Sequence, residues 1–191
     1  MNRWQRVLRM ARDSQNARKG LALLLLTPPL LMAVPAQAVD NLAFKGTLVN
    51  APCTLRVGDE DIMLDFGTVI DKYLYSDSRT PSRAFSLHLD DCDTAVMTGV
   101  KLTFSGTESA GLPGLLVLDA TSVARGVAIG METSGGQALP LNVQGSTTPL
   151  TPGNMVIALQ AYVQAEPAAQ ASKGIVRGPF TATATFALEY Q

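Results

Sequence analysis

Apolar residues fall on every second position over most of this chain, and no segment carries a convincing helical period. The sets are Ile62, Leu64, Phe66; Phe85, Leu87, Leu89; Val100, Leu102, Phe104; Val127, Ile129, Met131; Met155, Ile157, Leu159, Ala161, Val163; and Ala182, Ala184, Phe186, Leu188, Tyr190. Successive side chains of a strand point to opposite faces, so this pattern specifies half-buried strands. In the last set Thr181, Thr183 and Thr185 occupy the other face, where a branched side chain packs well on a pleated surface. Gly, Pro and Asp clusters such as Ser134-Gly135-Gly136 separate the runs, as expected of an antiparallel sandwich. Residues 164–174 are alanine-rich but contain Pro167 and read as a loop. Neither a repeat nor an inter-domain linker is visible, so the expectation is one all-β domain.

The first 38 residues do not share this pattern. Six of the 15 basic residues lie within positions 1–19 beside the single acid Asp13, and Leu21–Val34 is apolar apart from Thr27, Pro28 and Pro29. Ala36-Gln37-Ala38 follows, the small-x-small pattern that a signal peptidase accepts. The apolar run is short of the roughly 20 residues that cross a bilayer, and the two prolines interrupt a helix. Residues 1–38 therefore read as a signal peptide and not as an anchor, with Met10 as a second candidate start. Cleavage would leave Val39 first. Export assigns the lone pair Cys53 and Cys92 to a structural disulfide, since an oxidising compartment favours it and no C-x-x-C spacing indicates a redox pair. Closing a loop of about 40 residues restricts the unfolded chain by roughly 4 kcal/mol in the loop-entropy description.

Charge and residue type exclude several functions. Beyond the leader, nine basic residues face fifteen acidic ones, which is wrong for neutralising a nucleic-acid backbone. One histidine and two cysteines are too few for a typical zinc site. His88 sits opposite Phe85, Leu87 and Leu89 and reads as a solvent-facing strand histidine. Asp90, Asp91 and Asp93 lack the spacing of a calcium loop and read as a solvated acidic turn. There is no nucleophile elbow and no phosphate-cradling glycine loop. An enzyme is not expected, nor any cofactor or metal.

Two segments depart from an ordinary sandwich. In residues 39–50, Leu42, Phe44, Gly46 and Leu48 alternate, with a glycine at an inward position. A strand glycine often marks close approach of another backbone. The segment reads either as a first strand with a bulge or as a detachable arm that fits a shallow point in a partner's groove. The last strand, rich in alternating apolar residues, reads as central to the core, with an open edge if no later strand covers its neighbour.

Four stretches in order, VDNLAFKGTLVNAPCTL (39–55), LDDC (89–92), KLTFSGTESAGLPG (101–114) and GPFTATATFALEYQ (178–191), resemble the pilin subunits of chaperone–usher fimbriae. The similarity is greatest to minor tip-fibrillum subunits of P pili. It implies an immunoglobulin-like sandwich of six strands whose seventh is supplied by another chain, with 39–50 as an N-terminal donor-strand extension and 51–191 as the pilin domain. The strand-addition mechanism belongs to that family's known behaviour. It makes Leu42, Phe44, Gly46 and Leu48 the donor residues and pairs Cys53 with Cys92. It also makes Ala182, Ala184, Phe186, Leu188, Tyr190 and Gln191 the groove strand and chaperone contact.

The implied partners are a periplasmic pilus chaperone, an outer-membrane usher, neighbouring pilins and a tip adhesin. The route is through the periplasm to the cell-surface fimbria. A tip-fibrillum or adaptor role is expected, with a major rod pilin or terminator as the alternative. A glycan-binding adhesin is disfavoured, because adhesins of this family are about twice as long and Trp4 falls in the leader. A chaperone is disfavoured because it would hold two sandwich domains.

Overall fold

The computed structural model describes residues 51–191; the expected signal segment 1–38 and expected arm 39–50, including Leu42, Phe44, Gly46 and Leu48, lie outside the described residues. Among the described residues the elements run β1 (Thr54–Leu55), α1 (Asp71–Ser76), β2 (Arg83–Cys92), β3 (Gly99–Ser105), β4 (Glu108–Ser109), β5 (Leu112–Leu116), β6 (Val127–Thr133), β7 (Thr148–Pro149), β8 (Gly153–Ala165), α2 (Pro167–Ser172) and β9 (Thr185–Tyr190). Six strands have five residues or more, and the other three have two each.

The strands form two sheets, ordered β1-β2-β8-β6-β5-β4 and β7-β3-β9, with every pairing antiparallel. The period-two pattern fixes which faces meet. In β8 the residues Ile157, Leu159, Ala161, Val163 and Ala165 point inward and are buried. Phe85, Leu87 and Leu89 of β2 pair with Leu159, Ile157 and Met155, while Ile129 and Met131 of β6 pair with Val163 and Ala161. From the smaller sheet, Val100, Leu102 and Phe104 enter the same core. The Phe85 and Phe104 rings meet between the layers, edge to face, with centroids 6.3 Å apart. Cys53 and Cys92 form a disulfide that ties the start of the body to the end of β2.

The structure corrects three expectations. The stretch 164–174 is not all loop. Pro167 stands in the first turn of α2, where its missing N–H is no loss and its fixed φ suits a helix. A second short helix, α1, buries Leu74, and Gln170 Nε2 joins the helices by donating to Leu74 O at 3.0 Å. The last strand is not central. It lies at the edge of the smaller sheet, and its inward residues are only partly buried.

Candidate functional site along the last strand

A sheet edge offers unpaired N–H and C=O groups to any passing strand, and proteins usually shorten or cover such edges. Three of the four edge strands here have two residues each: β1, β4 and β7. β9 is the exception, with six. Among the described residues it pairs with β3 and with no strand on its other side.

The ladder shows which groups face that open side. Gln191 exchanges both backbone bonds with Gly99, at 2.8 and 3.1 Å. Bonding alternates along an antiparallel pair, so Glu189, Ala187 and Thr185 also turn their backbone groups toward β3. Phe186, Leu188 and Tyr190 turn theirs outward. These residues are also the ones whose side chains point to the core. Ala182, Ala184, Phe186, Leu188 and Tyr190 pack on the buried cluster yet are only partly buried, whereas Thr181, Thr183, Thr185, Ala187 and Glu189 are exposed. Burial pushes the Tyr190 phenol above its ordinary pKa.

A second apolar row lies in residues 62–69. Ile62, Leu64, Phe66 and Val69 are half buried against the same core. Among the described residues, no backbone-to-backbone hydrogen bond reaches positions 60–69. Side chains hold the segment instead: Asp65 Oδ1 accepts from Gly67 N at 2.7 Å, and the Arg83 guanidinium donates to Phe66 O at 3.4 Å. The two rows converge where the Phe66 and Phe180 rings stand 6.2 Å apart. A cavity of about 190 Å³ lies there, lined by Val69, Ile70, Leu74, Val127, Val163, Ile175 and Phe180 among others. The result, among the described residues, is an apolar groove with one long unpaired backbone wall, suited to receive an extended strand bearing alternate apolar side chains. The alternation of Ile62, Leu64 and Phe66 reads as an ordinary strand, but the segment joins no sheet among the described residues.

The polar candidates are engaged elsewhere. His88 is expected from its position to face open solvent, and the structure corrects this. It is partly covered by Asp59, whose Oδ2 accepts from His88 N at 2.5 Å and lies 2.9 Å from His88 Nδ1. Burial pushes the Asp59 carboxyl up, but the backbone and side-chain bonds from His88 hold it below its ordinary value. Asp90 takes a two-point bond from Arg56 at 2.8 and 3.0 Å, and Asp93 accepts from Ala95 N at 2.9 Å. Among the described residues no group of three or more His, Cys, Asp or Glu side chains converges as a metal site.

A family model described as "Fimbrial protein" matches residues 42–191. The Fimbrial adapter PapK of Escherichia coli is 35% identical over 158 residues, covering 80% of this chain and 88% of that protein. The Major MR/P fimbria protein of Proteus mirabilis is 32% identical over 156 residues, covering 81% of this chain and 86% of that protein. The crystal structure of the P pilus rod subunit PapA superposes with a TM-score of 0.64 at 26% identity, covering 74% of this chain and all of that one.

Proposed function

Because the chain belongs to the fimbrial protein family, and is a structural subunit of chaperone–usher pili and not an enzyme, we propose that it is a minor subunit, tip-fibrillum or adaptor, joined to its neighbours by donor-strand exchange. It assembles with other pilins into surface pili. In this reading residues 1–38 are removed, the mature chain begins at Val39, and 39–50 is the donor arm that fills the preceding subunit's groove through Leu42, Phe44, Gly46 and Leu48. The groove of this body, with Ala182, Ala184, Phe186, Leu188 and Tyr190 along one wall, is filled first by a periplasmic chaperone. At the outer-membrane usher the arm of the next pilin replaces it, and Gln191 belongs to the chaperone contact.

The observation that carries the proposal is the long open edge of β9, whose outward backbone groups and partly buried apolar side chains belong to the same residues. Such an edge aggregates unless another strand covers it. The similarity to an adapter supports a minor position in the fimbria. The likeness to a rod subunit supports a second reading, a major pilin, which differs in copy number. Periplasmic expression with and without the cognate chaperone tests the proposal. Soluble protein is expected only with the chaperone, at the intact mass of a chain starting at Val39 with one disulfide. Equal yields of soluble monomer in the two cultures would refute the missing strand.

A further inference from the structure

The two ends of the body differ in chemistry. Whatever precedes Ala51 leaves the body beside the Cys53–Cys92 bridge, and Asp93 N donates to Pro52 O at 2.7 Å. The exposed carboxylates of Asp91 and Asp93 therefore flank that exit. A short turn then leads to β3, where Thr98 N donates to Gln191 O at 2.8 Å. The finishing end of β9 thus lies at the exit end of the sandwich, and its starting end lies at the other.

At that other end α1 and α2 pack together, and Ile70, Tyr73, Val123 and Val176 stand about half exposed near the Phe180 cavity. Large apolar side chains grouped at one rim mark a contact surface. Lys72 and Lys173 are exposed there and make no ion pair among the described residues, whereas Arg177 is held by Asp71 at 2.6 Å. The nearby acids Asp77 and Glu166 accept hydrogen bonds from Ser76 and Ser109.

We infer, resting on the donor-strand reading above, that the α1–α2 rim docks the acidic arm-exit end of the next pilin, a second copy of this chain supplying the matching chemistry. Tether length brings such a contact within reach. Leu48 and Cys53 are five residues apart, so a donor body stands within roughly 18 Å of the groove its arm fills. An arm antiparallel to β9 delivers that body to the starting end of β9, against the rim. A parallel arm would deliver it to the finishing end, where the acceptor's own arm departs and Asp91 and Asp93 of both copies would face each other. Antiparallel pairing is also the more stable mode per residue. The contact is then heterologous, exit end to rim, and repeats with the same polarity along a fibre.

The test separates arm from rim. Chaperone-bound mature subunit is offered either a synthetic peptide of residues 39–50 or a donor subunit, and loss of the chaperone is timed. A K72E/K173E acceptor is expected to take up the peptide at the wild-type rate. It is expected to take up the donor subunit about tenfold more slowly at low salt, with the gap closing as salt screens the charges. A D93K donor should recover most of that loss. Equal donor-subunit rates for the two acceptors, with peptide uptake intact, would overturn rim docking and leave the arm assignment standing. Failure of the wild-type acceptor to take up the peptide would overturn the donor-strand reading and the docking together.

Discussion

Phe104 and Phe186 face each other across one rung of the β3–β9 ladder, yet Phe104 is 6% exposed while Phe186 is only partly buried. Alanine at the two positions should therefore fail in different ways. Phe104→Ala empties a filled core site and should cost the body about 3–5 kcal/mol, whether or not a donor is present. Full burial of a phenylalanine side chain contributes roughly 1.5–3 kcal/mol. The body supplies most of that for Phe186, so Phe186→Ala should lose about 1–2 kcal/mol on folding. A further loss of about 0.5–1 kcal/mol appears when a donor closes the groove, roughly two- to fivefold in donor affinity. Urea unfolding of the subunit at graded concentrations of the 39–50 peptide resolves the two, because the peptide dependence of stability returns Kd by mass action. Phe104→Ala should lower the midpoint at every peptide concentration with Kd unchanged, whereas Phe186→Ala should lower it less and weaken Kd. Wild-type Kd for Phe186→Ala, or equal damage to the body by both substitutions, would refute the groove assignment.

Gly46→Leu should leave chaperone-complex yield intact and block entry of the arm into the preceding subunit, since overpacking a closed site costs about 1–3 kcal/mol or more; normal strand exchange by this variant would remove Gly46 from the donor role. Glu132 is buried and takes two bonds from the Arg79 guanidinium, at 3.0 and 3.1 Å, and one from Ser82; burial pushes its carboxyl up, but these bonds hold it below its ordinary value. A depressed acid adds stability above its unfolded pKa that is lost as pH falls through the folded one, so Arg79→Ala should cost about 2 kcal/mol at pH 7, tempered by the partial exposure of Arg79, and much less at pH 3; urea midpoints showing the same loss at both pH values would refute that role for the pair.

The alternation of Ile157 through Val163 and of Leu102 and Phe104 was enough to locate the core, because inward positions in a two-layer sandwich are read directly from period two. The same pattern misplaced β9. Alternation reports which face of a strand is apolar and carries no information about whether its edge has a neighbour. Phe186 and Leu188 would read identically in a central strand. The α1 sequence DKYLYS spans under two turns, too short to display a 3.6-residue period. Pro167 reads as a breaker in the one-dimensional pattern, yet a proline in the first turn of a helix interrupts nothing. His88 is covered by Asp59, 29 residues earlier, and no local pattern announces such a contact.

The wall of 62–69 was equally hidden, and for a reason that bears on function. A strand that pairs with its own sheet and one that awaits a donor need the same side chains, since both finally bury one face. They differ in how much burial the subunit supplies by itself. Along β9 the body covers most, but not all, of Phe186, Leu188 and Tyr190. With roughly 1.5–3 kcal/mol at full burial for each large apolar side chain, a donor gains on the order of 1–3 kcal/mol from the uncovered remainder of these three. Pairing the outward backbone groups of the same residues adds to this. That gain is large enough to select a strand with the right spacing. It is small enough for a better-fitting strand to displace the first occupant by improving on a few contacts. A fully buried β9 would leave a donor nothing to gain, and a fully exposed one would not stay on β3 to receive it. Partial burial of alternate residues on a long edge is therefore what strand exchange requires of an acceptor.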